Sequence, residues 1–503
     1  MNQNQQNMTL QDALELGVKH HQSGDLENAE GIYQQILQVR PDQPIALHLL
    51  GVCHHQRGDN PSAVTLIAKA IKLEPNYAEA HSNLSLALSA LGKTHEAIAS
   101  CKKAISIKPD YAEAHNNLGL AMQSLAKPLD SEACYRTAIK LKPDYSIAYN
   151  NLGNILQDLG KIDEAIESYQ KAIEITPTYA DAHNNIGNAL RENGQLTEAI
   201  KSYKHSVKIN DGSAYAHANL ADTLKDITYN KLSAIKKGAS FDEQNGVTTN
   251  PLSQQQGWKD VMSCVQKVLE IKANDTQGLA LKTSALIGLN RLDEWKELCN
   301  FNRLIQTTRI SAPKDYATLS DFNEALYKRC AEDPNLSYEQ GGKSIKNGER
   351  INALQLDVLP SPVALLLDEF NQAIQSYKIN HPKDKTHPYL TQQPDKWTLT
   401  AWASILQRQG HHQSHIHRSG WVSGVYYGRV PNSTITGNPT GQGYIEFGRP
   451  SNHFENNSDP DFYLLKPEEG LLVLFPSYFY HQTIPFESNE IRFTVAFDAI
   501  PAR

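Results

Sequence analysis

Apolar and small residues return along the first half of the chain on a fixed 34-residue beat that starts near Leu10. Gly17, Gly51, Gly119, Gly153 and Gly187 share one phase, with Ser85 in the third unit, and Ala29, Ala63, Ala97, Ala165 and Ala199 share another, with Ser131 as the small substitute. Pro41, Pro75, Pro109, Pro143 and Pro177 close successive units. Small side chains at two fixed points let two helices approach closely, and proline ends a helix. The pattern therefore predicts paired helices stacked unit on unit. A seventh unit opens at Ala214 with AYAHANLADTLKD, but its second helix resumes only at Trp258. The polar stretch between, about 230–257, has too few apolar residues to bury and predicts a mobile loop. Gln277 to Leu304 reads as a degenerate eighth unit capping the array. The repeats thus occupy 10–306, after a disordered start at 1–9.

Beyond a linker at 307–318 the periodicity changes. Ser320 to Ala331 and Pro360 to Tyr377 predict helices, the second with Leu365, Leu366, Leu367, Phe370 and Ala373 on its apolar stripe. From Trp397 onward come short strands, TLTAWASIL, WVSGVYYGRV, GYIEFG, FYLLK, LLVLF and RFTVAF, separated by turn residues. They predict a jelly-roll within 319–503, with the helices packed on its outside. The fold class is multidomain α + β, an N-terminal all-α solenoid followed by a C-terminal β domain. The period and its Gly, Ala and Pro phases resemble the tetratricopeptide repeat.

Composition narrows the function. With 503 residues there is chain for at least two domains. A net charge of −7 without a long basic run argues against nucleic acid as a partner. Six cysteines, Cys53, Cys101, Cys134, Cys264, Cys299 and Cys330, have no CxxC spacing and fit reduced thiols. No signal-like start and no membrane-length apolar run are present, so a soluble cytoplasmic protein is expected.

Two polar ladders run through the repeats. Asn83, Asn117, Asn151, Asn185 and Asn219 recur by 34 just before the Leu-Gly phase, a position expected on the concave face of the solenoid. An amide both donates and accepts, so this row can hold an extended peptide without reading its sequence, or it can bridge adjacent helices. His81, His115, His183 and His217, with Tyr149, form a second row whose regularity suits helix packing or peptide contact better than metal binding.

The candidate chemistry is concentrated in QSHIHRSGWVSGVYYGRV, Gln413 to Val430. On a strand, residues i and i+2 share a face, so His415 and His417 can hold one ion between them. His481 follows the buried-strand pattern LLVLFPSYFY, and Arg492 opens RFTVAFDA. Three imidazoles and a nearby arginine suggest a metal, with zinc and copper also compatible, and an anionic co-substrate. Among nearby residues, Tyr478, Tyr480 and Trp421 read as packing, and His411 and His412 as solvent-facing, though one of them can touch substrate.

In order, HIH, WVSGVYY, LLVLFPSYFYH and RFT resemble the iron(II)- and 2-oxoglutarate-dependent oxygenases, in the branch with prolyl hydroxylases and HxH-type members. The resemblance covers roughly 397–497. It implies that His415 and His481 bind iron and that His417 stands where the family usually has Asp or Glu. No acidic residue lies between Asp395 and Glu446, so either His417 ligates or the third position is open. It further implies that Arg492, Thr494 and Tyr427 hold the distal carboxylate of 2-oxoglutarate, that O2 is the second co-substrate, and that ascorbate stimulates turnover. No catalytic residue beyond the metal ligands is implied. The expected activity is a dioxygenase hydroxylating a side chain of a protein or peptide brought by the repeats, which can be proline, asparagine, aspartate or lysine. The alternatives are a non-enzymatic adaptor with a degenerate jelly-roll, and a glycosyltransferase, which the short β-rich remainder of the chain disfavours.

Overall fold

The 34-residue beat becomes helix pairs because each second helix lays a large side chain on a small residue of the first. A Cβ at Gly17, Gly119, Gly153 or Gly187 would stand 2.5–2.6 Å from the ring of Tyr33, Tyr135, Tyr169 or Tyr203, respectively. At Gly51 the partner is Ile67. In the third unit, where Ser85 replaces the glycine, the facing residue shrinks to the fully buried Cys101. The alanine phase, with Ser131, is likewise fully buried.

The computed structural model describes residues 9–236, 251–334, 336–339, 345–351, 354, 361–432, 441–451 and 460–502. The expected disordered start, at 1–8, and the centre of the expected loop, 237–250, lie outside the described residues. Thr9, assigned to that start, instead caps the first helix through a capping box with Asp12. The chain forms two compact units, Met1–Ile209 and Asn210–Arg503.

The first unit is a tetratricopeptide solenoid of twelve helices: α1 Leu10–Gln22, α2 Leu26–Val39, α3 Pro44–Gln56, α4 Asn60–Leu73, α5 Ala78–Ala90, α6 Thr94–Ile107, α7 Ala112–Ser124, α8 Pro128–Leu141, α9 Ser146–Asp158, α10 Ile162–Ile175, α11 Ala180–Glu192 and α12 Leu196–Ile209. The asparagine ladder ties consecutive first helices. Asn117 donates to Ser82 Oγ (3.0 Å), Asn151 to Asn116 Oδ1 (2.9 Å) and Asn185 to Asn150 Oδ1 (3.0 Å), while Asn83 meets His48 Nε2 at 2.8 Å. His81, His115 and His183 each bond the carbonyl of the proline six residues earlier, at 2.9–3.1 Å, clipping the first helix to the turn before it.

The second unit holds α13 Ala214–Lys236, α14 Pro251–Ile271, α15 Thr276–Gly288, α16 Leu292–Leu298, α17 Phe301–Leu304, β1 Gln306–Arg309, α18 Leu319–Ala331, β2 Ser337–Glu339, β3 Ile345–Ile351, α19 Pro362–Asn380, β4 Trp397–His412, β5 Val422–Arg429, β6 Ile445–Phe447, β7 Tyr463–Leu465, β8 Leu471–Pro476, β9 His481–Thr483 and β10 Arg492–Pro501. Seven strands pair antiparallel in the order β1-β8-β5-β10-β4-β3-β2, and three more in the order β7-β6-β9, giving the jelly-roll. Three boundaries differ from expectation. Both flanks of the polar stretch are helical, since α13 runs to Lys236 and α14 starts at Pro251. The expected linker begins as β1, which adds to the edge of the large sheet on β8. The seventh and eighth repeat helices fall in the same unit as the jelly-roll, with Leu279 and Leu286 of α15 in its core.

α13 also carries a buried ion pair into that unit. Lys225, 3 % exposed, lies 2.8 Å from Asp222, which Arg418 approaches at 3.4 Å. Burial opposes the lysine's charge, but the Tyr480 hydroxyl, Asp222 and Asp226 outweigh it and hold the ammonium well above its usual range. Among the described residues, no helix is long and apolar enough to cross a membrane.

Two stability tests follow from this packing. The turn between first and second helices needs a positive φ, supplied by glycine at 24, 58, 92, 160 and 194 but by Ala126 (φ 54°) in the fourth unit. Left-handed backbone costs an L-residue about 1–2 kcal/mol, partly offset by the greater entropy glycine loses on folding. Ala126→Gly is therefore expected to raise the solenoid's melting temperature, by about 0.5–1 kcal/mol of stability; an unchanged or lower midpoint contradicts the strain. Lys225→Met removes the closer of the two cations beside the buried Asp222 and is expected to cost up to about 3–5 kcal/mol, read as an early denaturant transition of the second unit.

Candidate metal centre

β4 leaves the large sheet at His412, and the chain then runs along the segment from Ser477 to His481 that joins β8 to β9. His415 and His481 exchange backbone hydrogen bonds, N–H to O at 3.1 Å both ways, as an isolated antiparallel bridge. Two residues on, the His417 N–H donates to the Ser477 carbonyl at 3.1 Å. The two histidines do share a face, as expected of i and i+2, but this bridge sets it in place of a regular strand.

The three imidazoles converge. His415, His417 and His481 present ligand atoms all within 4.8 Å of one another, with the Nε2 atoms of His415 and His417 3.3 Å apart. Each Nδ1 has an acceptor: the Gln413 carbonyl for His415 (2.7 Å), the Phe479 carbonyl for His481 (3.1 Å) and Asp498 Oδ1 for His417 (2.5 Å). Protons placed on Nδ1 leave the Nε2 lone pairs free for a metal. Burial, then the facing His415 and His417, push His481 well below the usual histidine value, which keeps it in the neutral, ligating form.

The same cavity holds Arg492, Thr494 and Tyr427. Thr494 lies between Tyr427 and Ser404 as direct cross-strand partners. Arg492 is 2 % exposed, bonds the Gly443 carbonyl, and sits with its guanidinium 5.2 Å from the centre of the Tyr427 ring. Burial lowers its pKa and raises that of Tyr427, the latter partly offset by the neighbouring cation. Among the described residues the Arg492 Nε and the Tyr427 hydroxyl have no hydrogen-bond partner. A buried cation beside an unsatisfied hydroxyl fits an anionic ligand, and three inward Nε2 atoms fit a divalent first-row metal. Tyr426 points the other way, as expected, donating to Asn323 of α18.

Several features around the histidine cluster extend the sequence reading. Asp498 accepts from both His417 and Ser423 Oγ (2.6 Å), and Ser423 meets Ser477 Oγ at 2.7 Å. Trp402 packs its ring 5.2 Å from that of His417. His412, read as solvent-facing with substrate contact open to it or His411, lines the cavity with its Nδ1 3.3 Å from Thr483 Oγ1, because β4 extends further than the turn signals suggested. Strand alternation could have found Asp498, since it shares the face of Arg492 and Thr494 on β10.

Removing one imidazole should break the cluster's grip. Nickel or cobalt titration of His481→Ala is expected to show metal affinity reduced at least about 100-fold relative to wild type, and equal affinity would remove His481 from the centre.

The family models agree with these two architectures. The one described as "Putative 2OG-Fe(II) oxygenase" matches residues 400–498. Tetratricopeptide-repeat models match 20–86, 86–125, 112–145, 134–167, 153–192 and 187–226. Among solved structures, MamA is 30 % identical over 32 % of this chain and 95 % of its own, with a TM-score of 0.29. TTC0263, a thermophilic TPR protein in Thermus thermophilus, is 27 % identical over 36 % of this chain and 98 % of its own, with a TM-score of 0.34. The APC/C hetero-tetramer Cut9-Hcn1 is 15 % identical over 55 % of this chain and 49 % of its own, at 0.44. None of the curated proteins matches. With its repeat helices, its jelly-roll and its histidine cluster, the chain joins tetratricopeptide repeats to a C-terminal region, 400–498, that matches the 2OG-Fe(II) oxygenase family model.

Proposed function

We propose that the C-terminal domain is an iron(II)- and 2-oxoglutarate-dependent dioxygenase that hydroxylates a side chain of a protein or peptide recruited by the repeats. The observation that carries this reading is the sharing of one cavity by three inward imidazole nitrogens and a buried arginine whose Nε lacks a partner. In this reading His415, His417 and His481 hold the iron. Arg492 pairs with the distal carboxylate of 2-oxoglutarate, with Tyr427 and Thr494 completing its hydrogen bonds. When bound, the iron and 2-oxoglutarate together activate O2 for oxidation of a substrate C–H bond.

The protein's own part is to orient and to exclude water. Trp402, Val425, Ile445 and Phe475 wall the cavity with apolar surface, which strengthens the Arg492–carboxylate pairing by keeping competing water out. Peptide recruitment is assigned to the first-helix face that carries Asn83, Asn117, Asn151, Asn185 and Asn219. Most of those amides already donate between repeats, so their remaining acceptor capacity would take part. The non-enzymatic adaptor reading is disfavoured by the same buried arginine, for which a scaffold has no use.

Anaerobic protein with iron(II) is expected to bind 2-oxoglutarate, and aerobic protein to release succinate, with and without ascorbate in parallel. Arg492→Ala should weaken 2-oxoglutarate at least tenfold, within the roughly 2–5 kcal/mol of a broken buried charge pair. Succinate formation equal in both proteins would move the carboxylate site elsewhere.

A further inference from the structure

Three neutral imidazoles give a divalent metal no negative ligand, although the Asp498 carboxylate stands directly behind one of the rings. The three histidines are not equivalent in what holds them. His415 and His481 donate from Nδ1 to backbone carbonyls at 2.7 and 3.1 Å, whereas His417 donates to the carboxylate of Asp498 at 2.5 Å. A charge-assisted hydrogen bond is shorter and stronger than a neutral one, and it raises the basicity of the ring's other nitrogen.

Asp498 is held in that role from several sides. Its Oδ1 also accepts from Ser423 Oγ at 2.6 Å, and Ser423 is its direct cross-strand partner between β10 and β5. Ser423 and Ser477 are fully buried and 2.7 Å apart. The turn after His417 closes tightly over this group: a Cβ on Gly420 would lie 2.4 Å from Ser477 Oγ and 3.3 Å from Asp498 Oδ1. Asp498 therefore sits on the Nδ1 side of the His417 ring, away from the point where the Nε2 atoms meet. It is placed to act through the ring and cannot take His417's position at the metal.

We propose that Asp498 and His417 form one anionic ligand unit, in which Asp498 is the carboxylate of this centre and delivers its charge through the imidazole. The proposal rests on the histidine cluster being the metal site. For a bound metal it would supply negative charge that three neutral imidazoles lack, while His417 would still present a nitrogen. Asp498 is a positioning residue, because it touches the ligand and not the reacting atoms.

The test is a metal-binding cycle in the full-length protein, with nickel(II) as the probe because it binds nitrogen sites more tightly than iron(II) and is redox-inert here. Wild type, Asp498→Asn, His417→Ala and the double variant are titrated by calorimetry. Asp498→Asn is expected to weaken nickel by about 10–100-fold and to shift the ligand-field bands, and the double variant should match His417→Ala alone. An unchanged Asp498→Asn, or a double variant weaker than His417→Ala, overturns the proposal, since the aspartate then acts by another route or not at all. Should Asp498→Asn fail to fold, Ser423→Ala takes its place, and its effect must vanish in the His417→Ala background for the proposal to stand. Wild type that binds no nickel sinks the metal-centre reading itself, an outcome distinct from failure of the aspartate's role.

Discussion

Two reciprocal backbone hydrogen bonds between His415 and His481 determine where the histidine side chains can meet. An isolated bridge has no ladder to reinforce it, so its geometry depends on what clamps the two segments around it. Ser477 receives His417 N–H on one side, and Gly448 N–H reaches the Tyr480 carbonyl at 2.8 Å on the other. Glu446, buried in β6, accepts from Gln482 of β9 (2.6 Å) and pairs with Arg449 (2.8 Å), which steadies the small sheet beside His481. Without these clamps, nothing would hold the loop carrying His415 and His417 against His481 of β9. With them, the imidazoles are a pre-formed site.

The same dependence explains why a repeat helix belongs with the jelly-roll. In the fifth and sixth units, Asn154 and Asn188 accept the hydroxyls of Tyr169 and Tyr203 at 2.8 Å. One period later the residue is Asp222, and the tyrosine phase is lost in the polar insertion. The inward polar position then pairs with Lys225 and Arg418, and Thr276 of α15 donates to the Gly420 carbonyl at 3.1 Å. Arg418 and Gly420 lie one and three residues past His417. A helix that elsewhere stacks on its neighbours here braces the loop that carries two imidazoles, which ties repeat packing to the chemistry of the cavity.

Both polar ladders show how one pattern admits two uses. Amides spaced by 34 residues necessarily come into register along stacked first helices, whether they face a peptide or each other. The bonds made by Asn117, Asn151 and Asn185 show that the register is used between repeats. The histidine ladder resolves similarly, since a ring six residues after a turn carbonyl can reach back to it. Neither use is visible in spacing alone.

The solenoid was legible because its determinants are local and repeated: small residues at fixed phases and prolines at unit ends. The jelly-roll was legible as alternation between turn residues, and the histidine and arginine motifs could be read in order along it. Distances between strands far apart in sequence were not legible, and they decided the site. Asp498 carries no motif, and only the pairing of β10 with β5 sets it against Ser423 and the His417 ring. His412 and Lys225 entered the cavity wall and its brace through strand extension and helix docking, neither of which leaves a periodic trace. Residue type and period determined which elements form and which faces they bury. Tertiary structure decided which of those faces meet, because a contact across a sheet depends on register and packing summed over the whole domain.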